Sequence, residues 1–184
     1  MENARALFSE REISGGVAVS TFVSVGNATQ PFERLLVGVC RLASVFPQPV
    51  VVQHGHTPFT CPIGESYAFL DMSAFEALMA TAEVLILHAG AGSVLNAIRA
   101  GRVPIIVPRR AALGEHVNDH QLEFARQLAI EGRVLLVEDV EDLGGAVAKA
   151  KALTASSRAG MTATPPLVDA IKEVLVRYAT RDPG

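Results

Sequence analysis

The chain has 184 residues and a formal charge of −3, with 49% apolar and 19% charged residues, which gives one domain with a sizeable core and excludes a disordered chain. A slightly acidic balance argues against nucleic acid as a partner, because phosphate binding rests on a net basic face. No apolar run reaches the roughly 18 residues that cross a bilayer, and the first residues, MENARALFSEREISGG, have no apolar leader, so the chain is expected to be soluble and cytoplasmic.

Residues 1–16 are polar, end in Gly15-Gly16 and read as a mobile arm. From Val17 strands and helices alternate. VAVSTFVSV (17–25) is β-branched and apolar, a strand broken by Gly26-Asn27. Pro31 and the spacing of Phe32, Leu35, Leu36, Val39 and Leu42 predict a helix over 31–45, stopped by Pro47 and Pro49. Strand VVVQ (50–53) leads into HGHTPF, and a short extended piece follows at 67–70. Asp71 or Ser73 caps a helix at 73–81, with Glu76 three residues after Ser73 as in a capping box.

Next come strand VLILH (84–88), the loop AGAG (89–92), a helix at 93–100 closed by Gly101, and strand PIIVP (104–108). A longer helix at 116–131 ends at Gly132, and strand VLLV (134–137) and helix 140–152 complete the alternation. Residues 154–166 read as a linker and 167–179 as a last amphipathic helix, leaving 17–153 as the main domain and 167–184 as a C-terminal helix and tail. Near-continuous apolar strands separated by helices predict an α/β fold, a single Rossmann-like doubly wound parallel sheet buried on both faces. Ligands of such sheets sit beyond the C-terminal ends of the strands, so the loops 26–30, 54–60, 88–93 and 109–121 carry the chemistry.

The strongest local signal is His88-Ala-Gly-Ala-Gly-Ser93, after an apolar strand and opening a helix. Its small residues let backbone approach a ligand, and free N–H groups at the positive end of a helix dipole suit a phosphate or diphosphate. A plain strand–helix turn is the bland alternative. The rival ligand is a dinucleotide, since Gly90-x-Gly92 with Arg109-Arg110 after the next strand mimics an NADP fingerprint. Against it, the third glycine position is Leu95, and the unit follows two earlier strand–helix units instead of opening the domain.

A second constellation is Gly114-Glu115-His116-Val117-Asn118-Asp119-His120-Gln121. On a helix His116 and His120 share a face, but a zinc site needs a third ligand and the HExxH order, so no metal is expected. Asn, His and Gln groups beside a glycine loop suit neutral hydroxyls, as on a sugar, with a solvated polar turn as the alternative. The third is Gln53-His54-Gly55-His56-Thr57, whose histidines either contact a ligand or cap the loop. Arg109-Arg110 binds phosphate or carboxylate, or is an exposed basic loop. The two cysteines, Cys40 and Cys61, lack CxxC or metal-ligand spacing, and Cys61 reads as a small core or surface residue.

HAGAGSVLNAIRAGRVPIIVPRR followed by GEHVNDHQLEFARQL resembles the nucleotide-sugar-binding half of family 28 glycosyltransferases, above all their small split type, the Alg13-like proteins and the PssE/EpsF-like subunits of exopolysaccharide assembly. VSVGNATQPFERLL and VVVQHGHTPF extend the likeness over roughly 20–138. The resemblance implies the C-terminal half of a GT-B fold that holds a UDP-sugar and needs neither metal nor other cofactor. It also implies a membrane-associated Alg14- or PssD-like partner that carries the acceptor site and keeps this chain at the inner face of the membrane.

The family's diphosphate loop then falls on Ala89, Gly90, Ala91, Gly92 and Ser93, and its sugar-contacting pair on His120 and Gln121. Uracil is expected at the loop 54–60 and the strand end before it, and Gly26, Asn27, His54, His56, Arg109, Glu115, His116 and Asp119 complete the expected substrate site. The family's acidic ribose contact is Asn96 here, which forgoes a charge-assisted bond worth about 1 kcal/mol more than a neutral one.

The implied reaction is inverting transfer of a hexose from UDP to a lipid-linked acceptor, with the general base on the partner. His88 either assists or is structural. The hexose is glucuronic acid, galactose or N-acetylglucosamine, and Arg109 and Arg110 would welcome a glucuronate carboxylate. Competing readings are an NADP-binding protein, a UDP-sugar epimerase (which would carry both halves in one chain) and a nucleotide-sugar-binding subunit without activity.

Overall fold

A computed structural model of the protein describes residues 19–158. The arm 1–16, most of the expected linker and the helix expected at 167–179 lie outside the described residues. The elements are β1 (Thr21–Ser24), α1 (Glu33–Arg41), β2 (Val50–Gln53), β3 (Glu65–Tyr67), α2 (Met72–Thr81), β4 (Val84–His88), α3 (Ala91–Arg99), β5 (Ile105–Val107), α4 (His120–Ile130), β6 (Leu135–Leu136) and α5 (Leu143–Arg158). The six strands form one parallel sheet in the order β3-β2-β1-β4-β5-β6. This is the doubly wound arrangement, and its order reverses between β1 and β4.

Alternation along the strands builds the two faces. Val23, Val52, Val84, Ile86 and Ile105 point to one face, covered by Leu35, Leu36 and Val39 of α1 and Leu143 and Val147 of α5. Phe22, Val51, Leu85, Leu87 and Ile106 point to the other, covered by Leu78 and Met79 of α2, Val94 and Ile98 of α3, and Phe124 and Leu128 of α4. Each such side chain taken from water stabilises the fold by roughly 1.5–3 kcal/mol, so the sheet is the rigid frame from which the loops hang.

Element boundaries differ from expectation in instructive places. Asp71, not Ser73, is the N-cap of α2, accepting from Ala74 N at 2.7 Å. The helix expected at 116–131 begins only at His120, because Asp119 turns its carboxylate back to Ala111 N at 2.8 Å. His116 and His120 therefore do not share a helix face. α5 runs to Arg158, into residues expected to be linker. The fold also brings Cys40 of α1 to Cys61, with their Cα atoms 6.0 Å apart, and the two form a disulfide where two unrelated cysteines were expected.

Candidate functional site

The three strands around the reversal point each close an apolar run with a polar residue: Ser24 on β1, Gln53 on β2 and His88 on β4. All three are buried, and all three line one cleft of about 380 Å³ at the C-terminal edge of the sheet. Gly26 and Asn27 from the loop after β1, and Gly90, Ala91, Gly92, Ser93 and Asn96 from the start of α3, complete its polar side. Leu70, Met72 and Phe75, from the turn into α2 and its first residues, form an apolar wall.

The helix that opens onto the cleft has no side-chain cap. Gly90 is the N-cap of α3 and offers no acceptor, whereas α2 is capped by Asp71. The first-turn N–H groups of a helix have no intrahelical partner, so at Ala91, Gly92 and Ser93 these donors, with the positive end of the dipole, serve the cleft.

His88 sits between two glycines that cannot be anything larger. A Cβ on Gly26 would lie 2.4 Å from the His88 ring, and one on Gly90 would lie 2.2 Å from Nε2. Gly26 also holds φ at +75°, a left-handed conformation that favours glycine. Burial, with the nearby Arg109 charge second, pushes the His88 pKa down to about 4, so the imidazole is neutral at pH 7. Its Nδ1 is buried and makes no hydrogen bond among the described residues.

The loop after β5 is organised differently. Arg109 is fully buried and donates to the Val25 carbonyl at 2.8 Å, the Gln30 carbonyl at 2.7 Å and the Glu115 carbonyl at 3.0 Å. Its guanidinium lies over the Phe32 ring, 4.6 Å from the centroid. Burial lowers its pKa and Glu115 opposes that shift. The Glu115 carboxylate is itself held by Arg34 in two 2.9 Å bonds and by Arg110 N at 2.9 Å. Arg110 is turned to the Glu138 carbonyl and to Asp139. These residues brace the loop from within.

Residues 42–174 match the glycosyltransferase family 28 C-terminal domain. The chain belongs to this family. Stretches of 66 and 72 residues are 35% and 39% identical to the proteins named UDP-N-acetylglucosamine transferase subunit ALG13 from Yarrowia lipolytica and Cryptococcus neoformans. The matches take in 36% and 37% of this chain and 32% and 34% of those proteins, about a third of their length. Among solved structures, the glycotransferase of kitacinnamycin aligns with 97% of this chain and 46% of its own at a TM-score of 0.56 and 16% identity. The spinosyn forosaminyltransferase SpnP aligns with 94% and 47% at a TM-score of 0.59 and 17% identity. These likenesses show the fold, one half of a GT-B architecture.

Within this family 28 domain, the cleft gathers Gly26, Asn27, His88, Gly90, Ala91, Gly92, Ser93 and Asn96 as the sequence leads one to expect. Ala89 instead points into the core. Arg109 and Glu115, expected as ligand contacts, lie outside the cleft lining and are bonded within the protein, Arg109 through its two terminal nitrogens to backbone carbonyls and Glu115 to Arg34 and Arg110 N. His54 and His56 are likewise outside the cleft lining. The His54 Nδ1 is bonded to the Thr57 carbonyl at 2.8 Å with its ring stacked on Phe59, and His56 packs edge-on against Phe69. What their loop gives the site is Gly55, where a Cβ would lie 2.5 Å from the Gly26 carbonyl oxygen.

His116, Asp119, His120 and Gln121 lie at and before the start of α4 and are not among the cleft-lining residues. His116 Nδ1 accepts from Asn118 N at 3.4 Å, and Gln121 Oε1 accepts from Arg109 N at 3.3 Å. The sequence does not single out Ser24, raises Gln53 only as the start of the 53–57 loop, and does not single out Leu70, Met72 or Phe75. For the first two a signal existed, a polar residue closing an otherwise apolar parallel strand. The apolar three carry no mark that separates a cleft wall from core.

Proposed function

We propose that this chain is the donor-binding subunit of a split, inverting glycosyltransferase, holding a UDP-sugar whose hexose passes to a lipid-linked acceptor. The observation that carries it is the uncapped, glycine-lined start of α3, open to a cleft at the reversal point of the sheet. The diphosphate rests on the Ala91, Gly92 and Ser93 N–H groups, and His88, neutral at pH 7, offers its imidazole to the same oxygens. Charge develops on the departing diphosphate, and each preorganised donor lowers that barrier by roughly 3 kcal/mol. No metal enters this scheme.

The uracil packs on Leu70, Met72 and Phe75, a wall that replaces the expected loop 54–60, and Asn96 meets the ribose hydroxyls. His120 and Gln121 reach the sugar from the start of α4. The names of the relatives favour N-acetylglucosamine over the other two hexoses. The glucuronate reading loses its basis, because Arg109 is buried on carbonyls and Arg110 is turned to Glu138 and Asp139. The NADP reading loses the same arginine.

The acceptor site and the general base belong to a membrane-associated partner that completes the GT-B pair and holds this chain at the inner face of the membrane. Among the described residues no helix is long and apolar enough to cross a membrane. Calorimetry with UDP and with NADP tests the reading: UDP binds and NADP does not. Tight NADP binding with no response to UDP overturns it. Transfer to a lipid-linked acceptor is expected only when the partner is added, and turnover by the lone chain refutes the split arrangement.

A further inference from the structure

Ser24 and Gln53 are polar side chains buried in the middle of a parallel sheet, at 0% and 4% exposure. Such groups destabilise the fold unless paired. Their pairing here has a direction. The Gly26 N–H, a donor only, donates to Ser24 Oγ at 3.2 Å. The Ser24 hydroxyl then donates to Gln53 Oε1 at 2.7 Å. That turns the Gln53 amide so that Nε2 donates to Asn27 Oδ1 at 3.2 Å. Terminal amides can be placed either way round when judged alone, and the network decides between the two. With its oxygen engaged, Asn27 keeps Nδ2, with two donors, for the cleft it lines from an exposed position.

We infer that Gln53 is a positioning residue for the anionic part of the ligand: through Asn27 it aims an N–H donor into the cleft that also receives the first turn of α3. This rests on the reading of the cleft as a nucleoside diphosphate site. An apolar residue of similar volume would fill the space under Asn27 equally well. What it would not do is fix which end of the Asn27 amide meets the ligand. With the amide reversed, a carbonyl lone pair would face the diphosphate oxygens and repel them. Uridine without phosphates is indifferent to that choice.

The test uses the whole chain and calorimetry with UDP and with uridine. Gln53→Glu keeps the shape and still accepts from Ser24, but it has no N–H for Asn27 Oδ1, so the Asn27 amide reverses. The expected result is a loss of about tenfold in UDP affinity, the scale of one charge-assisted hydrogen bond, with uridine affinity unchanged. Asn27→Ala gives a similar loss, and adding Gln53→Glu to Asn27→Ala costs nothing further. The last comparison separates lost positioning from simple repulsion by the new carboxylate, which would persist without Asn27. Ser24→Ala cuts the same relay one step earlier with no charge added. It shows the same split between UDP and uridine in weaker form, and it serves if Gln53→Glu does not fold.

Wild-type affinity for UDP in both Gln53→Glu and Ser24→Ala overturns the inference and leaves the site reading intact. Equal losses of UDP and uridine, or an undiminished loss on the Asn27→Ala background, overturn it as well. Failure of the wild-type chain to bind UDP overturns the site reading, and this inference with it.

Discussion

Two loops leave neighbouring strands at the same edge of the sheet and use their polar groups in opposite ways. The loop after β4 leaves its donors for the cleft: α3 starts on Gly90 with no side-chain cap. The loop after β5 spends its charges inside the protein, with Arg109 across three carbonyls and Glu115 across Arg34 and Arg110 N. Charge at a strand end is therefore a poor sign of a ligand contact. The sign carried by the loop after β4 is a helix start without a side-chain cap, lined by small residues and open to the cleft.

The contrast is easiest to break at Arg109. Arg109→Met leaves three carbonyls without a donor and is expected to lower unfolding free energy by about 4 kcal/mol, read from urea denaturation. Lysine restores only a minor part, since an ammonium does not span the same carbonyls as a planar guanidinium. An unchanged midpoint with lost UDP affinity would move Arg109 back to the ligand. The next effect is smaller and is read in pH. The folded-state pKa of His88 is about 4 against an ordinary 6.5, so between those values the unfolded chain binds more protons. The stability from keeping His88 neutral is fully present above pH 6.5, is lost as pH falls, and amounts to about 3 kcal/mol by pH 4.

His88→Asn should flatten that part of the urea-midpoint profile, and parallel profiles for the two proteins would show that His88 is not held neutral. The third effect sharpens the contrast. Gly90→Ala puts a methyl 2.2 Å from His88 Nε2, and overpacking of this kind costs about 2 kcal/mol. That cost is read from urea denaturation, and UDP affinity by calorimetry should fall because the displaced imidazole disturbs the start of α3. Unchanged affinity would mean that the imidazole has room to move.

The fold was legible because its physics is local and repeated. Runs such as VVVQ and VLILH, cut by Gly and Pro, leave little alternative to buried parallel strands, and the glycine loop declared itself for the same reason. Legibility failed where a residue's role depends on what meets it across the sheet. Arg109 looks like a ligand contact until the Val25 and Gln30 carbonyls, from a loop 79 residues or more away in the chain, are seen to receive it. The turn 116–119 looks helical until the Asp119 carboxylate bends back to Ala111 N. Leu70 and Phe75 look like core, and Cys40 gives no hint of Cys61. Gln53 was visible as a polar end to an apolar strand, but its neighbours were needed to say what that polarity is for.

The imidazole wedged between Gly26 and Gly90 makes positions 26, 88 and 90 a single heritable unit. No side chain can grow at 26 or 90 unless the one at 88 shrinks first, so single substitutions there should be purged while compensated sets survive. A library randomised at all three should return glycine on both flanks wherever histidine stays, and alanine at position 90 only beside something slimmer.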